Sequence, residues 1–348
     1  MMTSKTEARL LITCVGGKLK SLEPLFFKKN SKFLNYVVGV DTNKTAVGKQ
    51  FVDKFYLVPS GDDPFYIEKL LEIVRKDKIN LIIPCSDEEA RALSRNKRSF
   101  LDFKCHIASV DFETINILSD KIKTYEILKL NRIEVPKYFK IENKIDLIRK
   151  INEFVLNKES FVIKPSLSRG GRNVVLVNPN NLEKKFKKPG REKEVGISSF
   201  LRNEVDQFEK LYPLVIMEKL KEPVLDLDLL CWNGCLKRFV LRKRINDTNP
   251  NEGHEIIVDK KIEKLAKSLS QIFNLSWLYD CDLMLDKNNN YKILEINPRP
   301  SGSAIVSMIA GYNFYDDIYD LMYGNDLQKR PQLKNQIIEP KKIKGMLE

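Results

Sequence analysis

Asp282-Leu-Met-Leu-Asp-Lys-Asn-Asn-Asn-Tyr-Lys-Ile-Leu-Glu295-Ile-Asn297-Pro-Arg299-Pro-Ser-Gly302 is the stretch that decides how this chain is read. It has the pattern of two short strands joined by a polar turn, and the second strand ends in a carboxylate, an amide and a guanidinium within five residues. Asp282 and Glu295 stand 13 positions apart. A hairpin of that length brings its outer ends side by side, with both carboxylates on one face. Oxygen ligands gathered this way suit a hard divalent ion such as Mg²⁺, which favours carboxylates together with nucleotide phosphates over an all-protein cage. Arg299 then lies where phosphate charge collects and offers a planar donor fork.

Working outward, the 348 residues are enough for a large core divided among two or three subdomains. Hydrophobic residues make up 43% and charged residues 31%, the balance of a soluble globular chain. No apolar run reaches membrane-spanning length, and the first residues lack the apolar segment of a secretory signal, so no membrane partner and a cytoplasmic location are expected. The six cysteines, 14, 85, 105, 231, 235 and 281, fall mostly inside apolar runs and read as reduced core thiols. Only His106 and His254 are available for soft-metal ligation, which argues against zinc. The net charge of +13 admits a polyanionic partner or a scatter of solvated lysines. The basic residues never form a block of six and no aromatic-plus-basic signature accompanies them, so a nucleic-acid partner is not expected.

Residues 8–110 alternate strand and helix patterns: Leu10–Val15, a helical Leu19–Lys29, Tyr36–Val40, Phe55–Val58, a helical Pro64–Lys76 and Ile79–Pro84. Such alternation predicts a parallel, Rossmann-like sheet. Gly16-Gly17 with Asp41 is a partial dinucleotide signature, and a plain strand-to-helix turn explains the glycines equally. Ser86 and Asp87 either cap the helix that follows or face a cleft at the carboxyl ends of the strands. Beyond 112 come a helix opened at Asp120-Lys121, a helix Asn143–Phe154, a strand Phe161–Pro165 and a glycine-rich loop, Ser166–Arg172. Strands follow over Asn173–Val177 and Pro213–Met217, with a polar, irregular 178–200 between them. A hairpin then turns on Asn233-Gly234, and an amphipathic helix spans 259–273. The predicted domains are 1–112, Rossmann-like; 113–330, containing a small lid subdomain at about 122–220; and 331–348, a basic tail wrapping the surface.

In this order and spacing, Leu118-Ser-Asp120-Lys121, Ile163-Lys164-Pro-Ser166, Arg169-Gly170-Gly171-Arg172, Met217-Glu218-Lys219-Leu220 and Leu294-Glu295-Ile-Asn297-Pro-Arg299 resemble the ATP-grasp superfamily, over residues 115–310. The expected fold class is therefore mixed α/β and α+β: a Rossmann-like domain followed by an ATP-grasp fold of two α+β subdomains. The resemblance implies that Lys121, Lys164 and the loop residues Ser166, Arg169, Gly170 and Gly171 contact ATP phosphates. It implies that Glu218 accepts from the adenine amino group while Lys219 and Leu220 supply hinge backbone. Asp282, Glu295 and Asn297 would hold one or two Mg²⁺ ions, which Mn²⁺ could replace. Arg299 would face the transferring phosphate, with Arg242 or Arg244 beside the γ-phosphate. The usual acidic ribose ligand is replaced by Val224, leaving Asp226 or Glu222 for that place.

The activity implied is ATP-dependent ligation: a small-molecule carboxylate is activated as an acyl phosphate, joined to an amine, and ADP and phosphate are released. The branch that contains carbamoyl phosphate synthase resembles this chain most in Ile-Asn-Pro-Arg-Pro-Ser-Gly. A kinase using the same cleft, or a nucleotide-binding protein without turnover, are the alternatives. A homodimer is the default assembly.

Overall fold

The computed structural model describes residues 7–168, 171–180, 185–186, 193–246 and 249–347. Seventeen strands, among the described residues, form three sheets. The first holds β1 (Glu7–Ile12), β2 (Leu34–Asp41), β3 (Lys54–Leu57), β4 (Leu81–Ile83) and β5 (His106–Ile107), all parallel, in the order β3-β2-β1-β4-β5. Its central strands are apolar on both faces, as Leu10, Leu11 and Ile12 are all fully buried, because helices cover the sheet on either side. The strand order reverses between β1 and β4, which puts the crevice of this sheet at their carboxyl ends. There the side chain of Ser86 caps the helix Asp87–Arg95 by accepting from the Glu89 N–H.

The second sheet contains β6 (Tyr138–Ile141), β7 (Phe161–Pro165), β8 (Val175–Asn178), β9 (Lys185–Phe186), β10 (Lys193–Gly196) and β11 (Leu214–Glu218), in the order β6-β11-β7-β8-β10-β9. It encloses a separate apolar cluster built around Phe154, Phe161, Phe200 and Phe208. Two features here depart from the sequence reading. Tyr138–Ile141 is a strand paired with β11, and 193–203 is a strand followed by a helix rather than irregular chain.

The third sheet is the frame of the site: β12 (Lys221–Trp232), β13 (Cys235–Arg244), β14 (His254–Ile257), β15 (Trp277–Leu285), β16 (Tyr291–Asn297) and β17 (Gln336–Ile338), ordered β16-β15-β12-β13-β14-β17. Asn233 (φ 48) and Gly234 (φ 74) turn the β12–β13 hairpin in the left-handed region, as two-residue hairpins require. The tail differs from expectation. Instead of wrapping the surface, it adds β17 to the edge of β14 and ends in a helix, Pro340–Leu347, whose Ile343 and Leu347 are buried. Its basic residues are the exposed positions between these anchors, which is why composition alone masked them.

All six cysteines are free; Cys105, Cys231 and Cys281 are buried and Cys14 and Cys85 are half-buried. Cys235, read as a core thiol, is exposed at the start of β13.

Candidate functional site

Period-two alternation on three neighbouring strands assembles the site. In the register of the third sheet Glu295 stands opposite Asp282, which stands opposite Asp226; one step along, Asn297 opposes Asp280, which opposes Asp228. Directly opposed residues share a face, so five carboxylates and one amide line up across β16, β15 and β12. The β13 strand continues the surface with Arg242 and Arg244, and β14 brings His254 opposite Arg244. Like charges opposed across strands are destabilising, so this face is not explained by stability.

The cations are placed to answer it. Arg242 is fully buried and grips Asp228 with Nε (2.8 Å) and a second guanidinium nitrogen (3.0 Å), while donating to the Ser303 hydroxyl at 2.8 Å. Arg244 does the same for Asp226, at 2.6 and 3.0 Å, and reaches Asp282 at 3.2 Å. His254 Nε2 lies 3.1 Å from Asp226. Burial alone would push Asp226 up, but Arg244, His254 and Arg242 outweigh it and hold the carboxyl well below the usual range. Asp280 moves the other way: burial first, then the Asp226 charge, pushes it up to about 7. Burial also drives Asp282 up, against the pull of Arg244. Glu295 is held down, despite burial, by Lys121 and Lys164.

The donor set fits a hard cation. Oxygens of Asp226, Asp280 and Asp282 lie within 4.8 Å of one another, and the second oxygen of Asp280 is buried with no hydrogen-bond partner. This cluster overlaps the sequence-derived set of Asp282, Glu295 and Asn297 at Asp282, and adds Asp280 and Asp226. Asn297 donates to Asp280 at 3.2 Å. Sequence reasoning missed Asp280, although Asp-Leu-Asp at 226–228 and Asp-Cys-Asp at 280–282 are the alternation that marks paired carboxylates on one strand face. Asp226, offered as a ribose ligand, is instead buried in this row beneath Arg244 and His254. Glu222, the other candidate for that place, is exposed at the start of β12.

Lys121 follows Asp120, whose carboxylate caps its helix through the N–H groups of Ile122 and Lys123. Its ammonium donates to the Ser168 carbonyl at 2.7 Å and pairs with Glu295 at 3.2 Å. Lys164 is buried, 6.0 Å from the centre of the Tyr125 ring. Ser166 gives its hydroxyl to the Asp120 carboxylate and its carbonyl to the Lys121 N–H. Arg169 and Gly170 lie outside the described residues; Gly171 sits at φ 69 in the turn before β8. Glu218 commits one carboxylate oxygen to the Lys137 N–H at 2.8 Å, joining β11 to β6, while Lys219 is exposed and Leu220 buried.

A cleft of about 320 Å³ runs past Lys121, Glu295 and Asn297. Its lining combines Lys121, Ser168, Glu295 and Asn297 with Asp62, Asp87, Glu88 and Arg91 of the first sheet's loops and helices. Arg299 links the helix Asp87–Arg95 to β15, with Nε 3.1 Å from Asp87 and another nitrogen 3.4 Å from Asp280. The two readings of Ser86-Asp87 are thus both realised, Ser86 as the cap and Asp87 in the cleft. At the Gly16-Gly17 turn, the Gly16 N–H is already taken by Asp41 (2.8 Å), so the partial dinucleotide signature resolves as an internal turn.

Two family models match parts of the chain. Residues 210–343 match the family described as "ATP-grasp in the biosynthetic pathway with Ter operon", and residues 10–108 match "PylC-like, N-terminal domain". The carbamoyl phosphate synthase large chain of Clostridium acetobutylicum is 22% identical over 307 residues, 83% of this chain, but the match spans only 26% of that longer protein. Among solved structures, the N5-carboxyaminoimidazole synthetase of Staphylococcus aureus in complex with ADP shares the fold at a TM-score of 0.67 and 18% identity, covering 96% of this chain and 83% of its own. The L-amino acid ligase of Bacillus licheniformis does so at 0.61 and 13% identity, covering 99% and 78%.

Proposed function

We propose that the chain is an ATP-dependent carboxylate–amine ligase working through an acyl phosphate. The observation that carries this reading is the direct register of Asp282 with Glu295, flanked by Asp280 and Asn297 and bridged to Asp87 by Arg299. In this reading Lys121 and Lys164 bind and orient the ATP phosphates, together with the loop residues Ser166, Arg169, Gly170 and Gly171. Asp282, Glu295 and Asn297 would hold Mg²⁺, with Asp280 and Asp226 beside them. Bound there, the ion would draw charge off the γ-phosphoryl group. Arg299 supplies a fixed guanidinium where negative charge grows during transfer, preorganised by Asp87 and Asp280.

A substrate carboxylate oxygen attacks the γ-phosphorus, the bond to the β-phosphate oxygen breaks, and ADP leaves. The amine nitrogen then attacks the acyl carbon; phosphate departs and the amine gives up a proton. No side-chain nucleophile is required, since positioning and electrostatics carry phosphoryl transfer. Homologous folds in complex with ADP support the nucleotide site. The kinase alternative shares every step up to phosphoryl transfer.

The test is an ADP-release screen of small carboxylates paired with amines, with mass spectrometry of the products. A condensed product together with ADP and phosphate is expected. A stable phosphorylated product would instead identify a kinase, and no ADP release with any pair would oppose the reading.

A further inference from the structure

We propose that Arg91 and Ser119, which line the same cleft as the end of the acidic hairpin, form a subsite for a carboxylate of the substrate; this rests on the ligation reading above. Asp87 and Arg91 lie four residues apart on the helix Asp87–Arg95 and so share one face. The direction of that face is set by Asp87, which meets Arg299 at 3.1 Å, and Arg91 lines the same cleft.

Arg91 differs from Lys121 and Arg299, which carboxylates hold, and from Arg172, which lines the same cleft but is exposed. Lys121 is held by Glu295 and Ser168, and Arg299 by Asp87 and Asp280. Arg91 is half-buried yet, among the described residues, has no ion-pair or hydrogen-bond partner, and its Nε is shielded from solvent with nothing to donate to. Ser119, also lining the cleft, has a buried hydroxyl oxygen in the same condition. Buried donors left unmatched are costly, and two of them at one cleft describe a site shaped for an acceptor. A guanidinium edge plus a hydroxyl suits a planar oxyanion.

The surrounding charge selects which one. Asp62, Asp87 and Glu88 line the same cleft and repel a polyanion such as a triphosphate more strongly than a singly charged carboxylate. A single carboxylate, held by the fork of Arg91, fits that field. The phosphates belong with Lys121 and Lys164.

Calorimetry on the full chain tests this. Protein saturated with MgADP is titrated with acetate, succinate, glutarate and the standard amino acids as probes, for wild type, Arg91→Ala, Arg91→Lys and Ser119→Ala. Expected is binding of at least one carboxylate to wild type, weakened about tenfold or more in Arg91→Ala and less in Ser119→Ala, the scale of a lost charge-assisted hydrogen-bond pair. Arg91→Lys, keeping the charge without the fork, should fall between. MgADP affinity should stay within about twofold in all variants, which also shows that they fold. Equal carboxylate binding by wild type and Arg91→Ala, no carboxylate binding by wild type, or a tenfold loss of MgADP affinity in Arg91→Ala would each overturn the proposal. Should wild type fail to bind MgADP, the nucleotide reading falls by itself. The same titrations without nucleotide then decide the subsite, with loss in Arg91→Ala supporting it and no difference rejecting it.

Discussion

Asp77, in the last turn of the helix Tyr66–Asp77, accepts from Lys54 at 2.8 Å, from Tyr56 at 2.6 Å and from Tyr36 at 3.3 Å, tying that helix to β2 and β3. Burial opposes its ionisation, but these donors prevail and its pKa lies below the ordinary 3.8. The folded state therefore gains stability from the charged form at all pH values above the unfolded carboxyl's pKa. That gain disappears as pH falls through the lower folded value. Asp77→Asn should destabilise the protein by about 1–3 kcal/mol at pH 7 and flatten the acid limb of its stability curve, read by denaturant unfolding between pH 2 and 7. At the site, Glu295→Gln removes a charge held by Lys121, and turnover should fall by at least about a hundredfold while the fold survives. Unchanged ADP release would contradict its assignment as a metal ligand. Local spacing alone points to Asp282, Glu295, Asn297 and Arg299 as candidates, and the sheet sets Asp282 opposite Glu295. Those read less well owe their place to strands far apart in sequence. Asp226 needed the β12–β15 register, and Arg91 needed the first sheet to face the third.

Elements were legible where a turn or cap residue announced them. Asn233-Gly234 is one case: a Cβ on Gly234 would stand 2.9 Å from the Asn274 side-chain oxygen, at a φ of +74 that other residues resist. Gly234→Ala should cost about 1–2 kcal/mol. Gly345 is exposed within the helix Pro340–Leu347 and its added methyl would meet nothing within 4 Å, so Gly345→Ala should add about 0.5–1 kcal/mol. Thermal unfolding of the pair separates the two signs. The tail was misread because Ile338, Ile343 and Leu347 are isolated apolar positions among lysines; their partners are the edge of β14 and the helices Glu23–Asn30 and Ile305–Ile309, far away in sequence. Ile343→Ala should therefore cost about 2–4 kcal/mol in chemical unfolding, where a surface tail would show almost nothing. Tyr138–Ile141 escaped notice because it is four residues long, carries Lys140 and lies on a sheet edge, where alternation has little room to appear.

Across the whole molecule, three sheets converge on one cleft, and the parallel sheet contributes to it through the ion pair of Asp87 with Arg299. The first and third sheets could be anticipated from pattern, parallel where strands and helices alternate and antiparallel where hairpins follow one another, whereas the second is mixed, with β8 parallel to β10. Their mutual placement could not be anticipated, because no local signal encodes which loop meets which hairpin. The proposed ligation requires a magnesium nucleotide seated against the acidic row of β15 and β16. Calorimetric titration of MgATP into wild type and the doubly substituted Asp282→Asn, Glu295→Gln protein tests it most directly. Expected is wild-type binding that depends on Mg²⁺ and an affinity at least about tenfold lower in the double variant. Identical binding by the two proteins, or none by wild type, would contradict it.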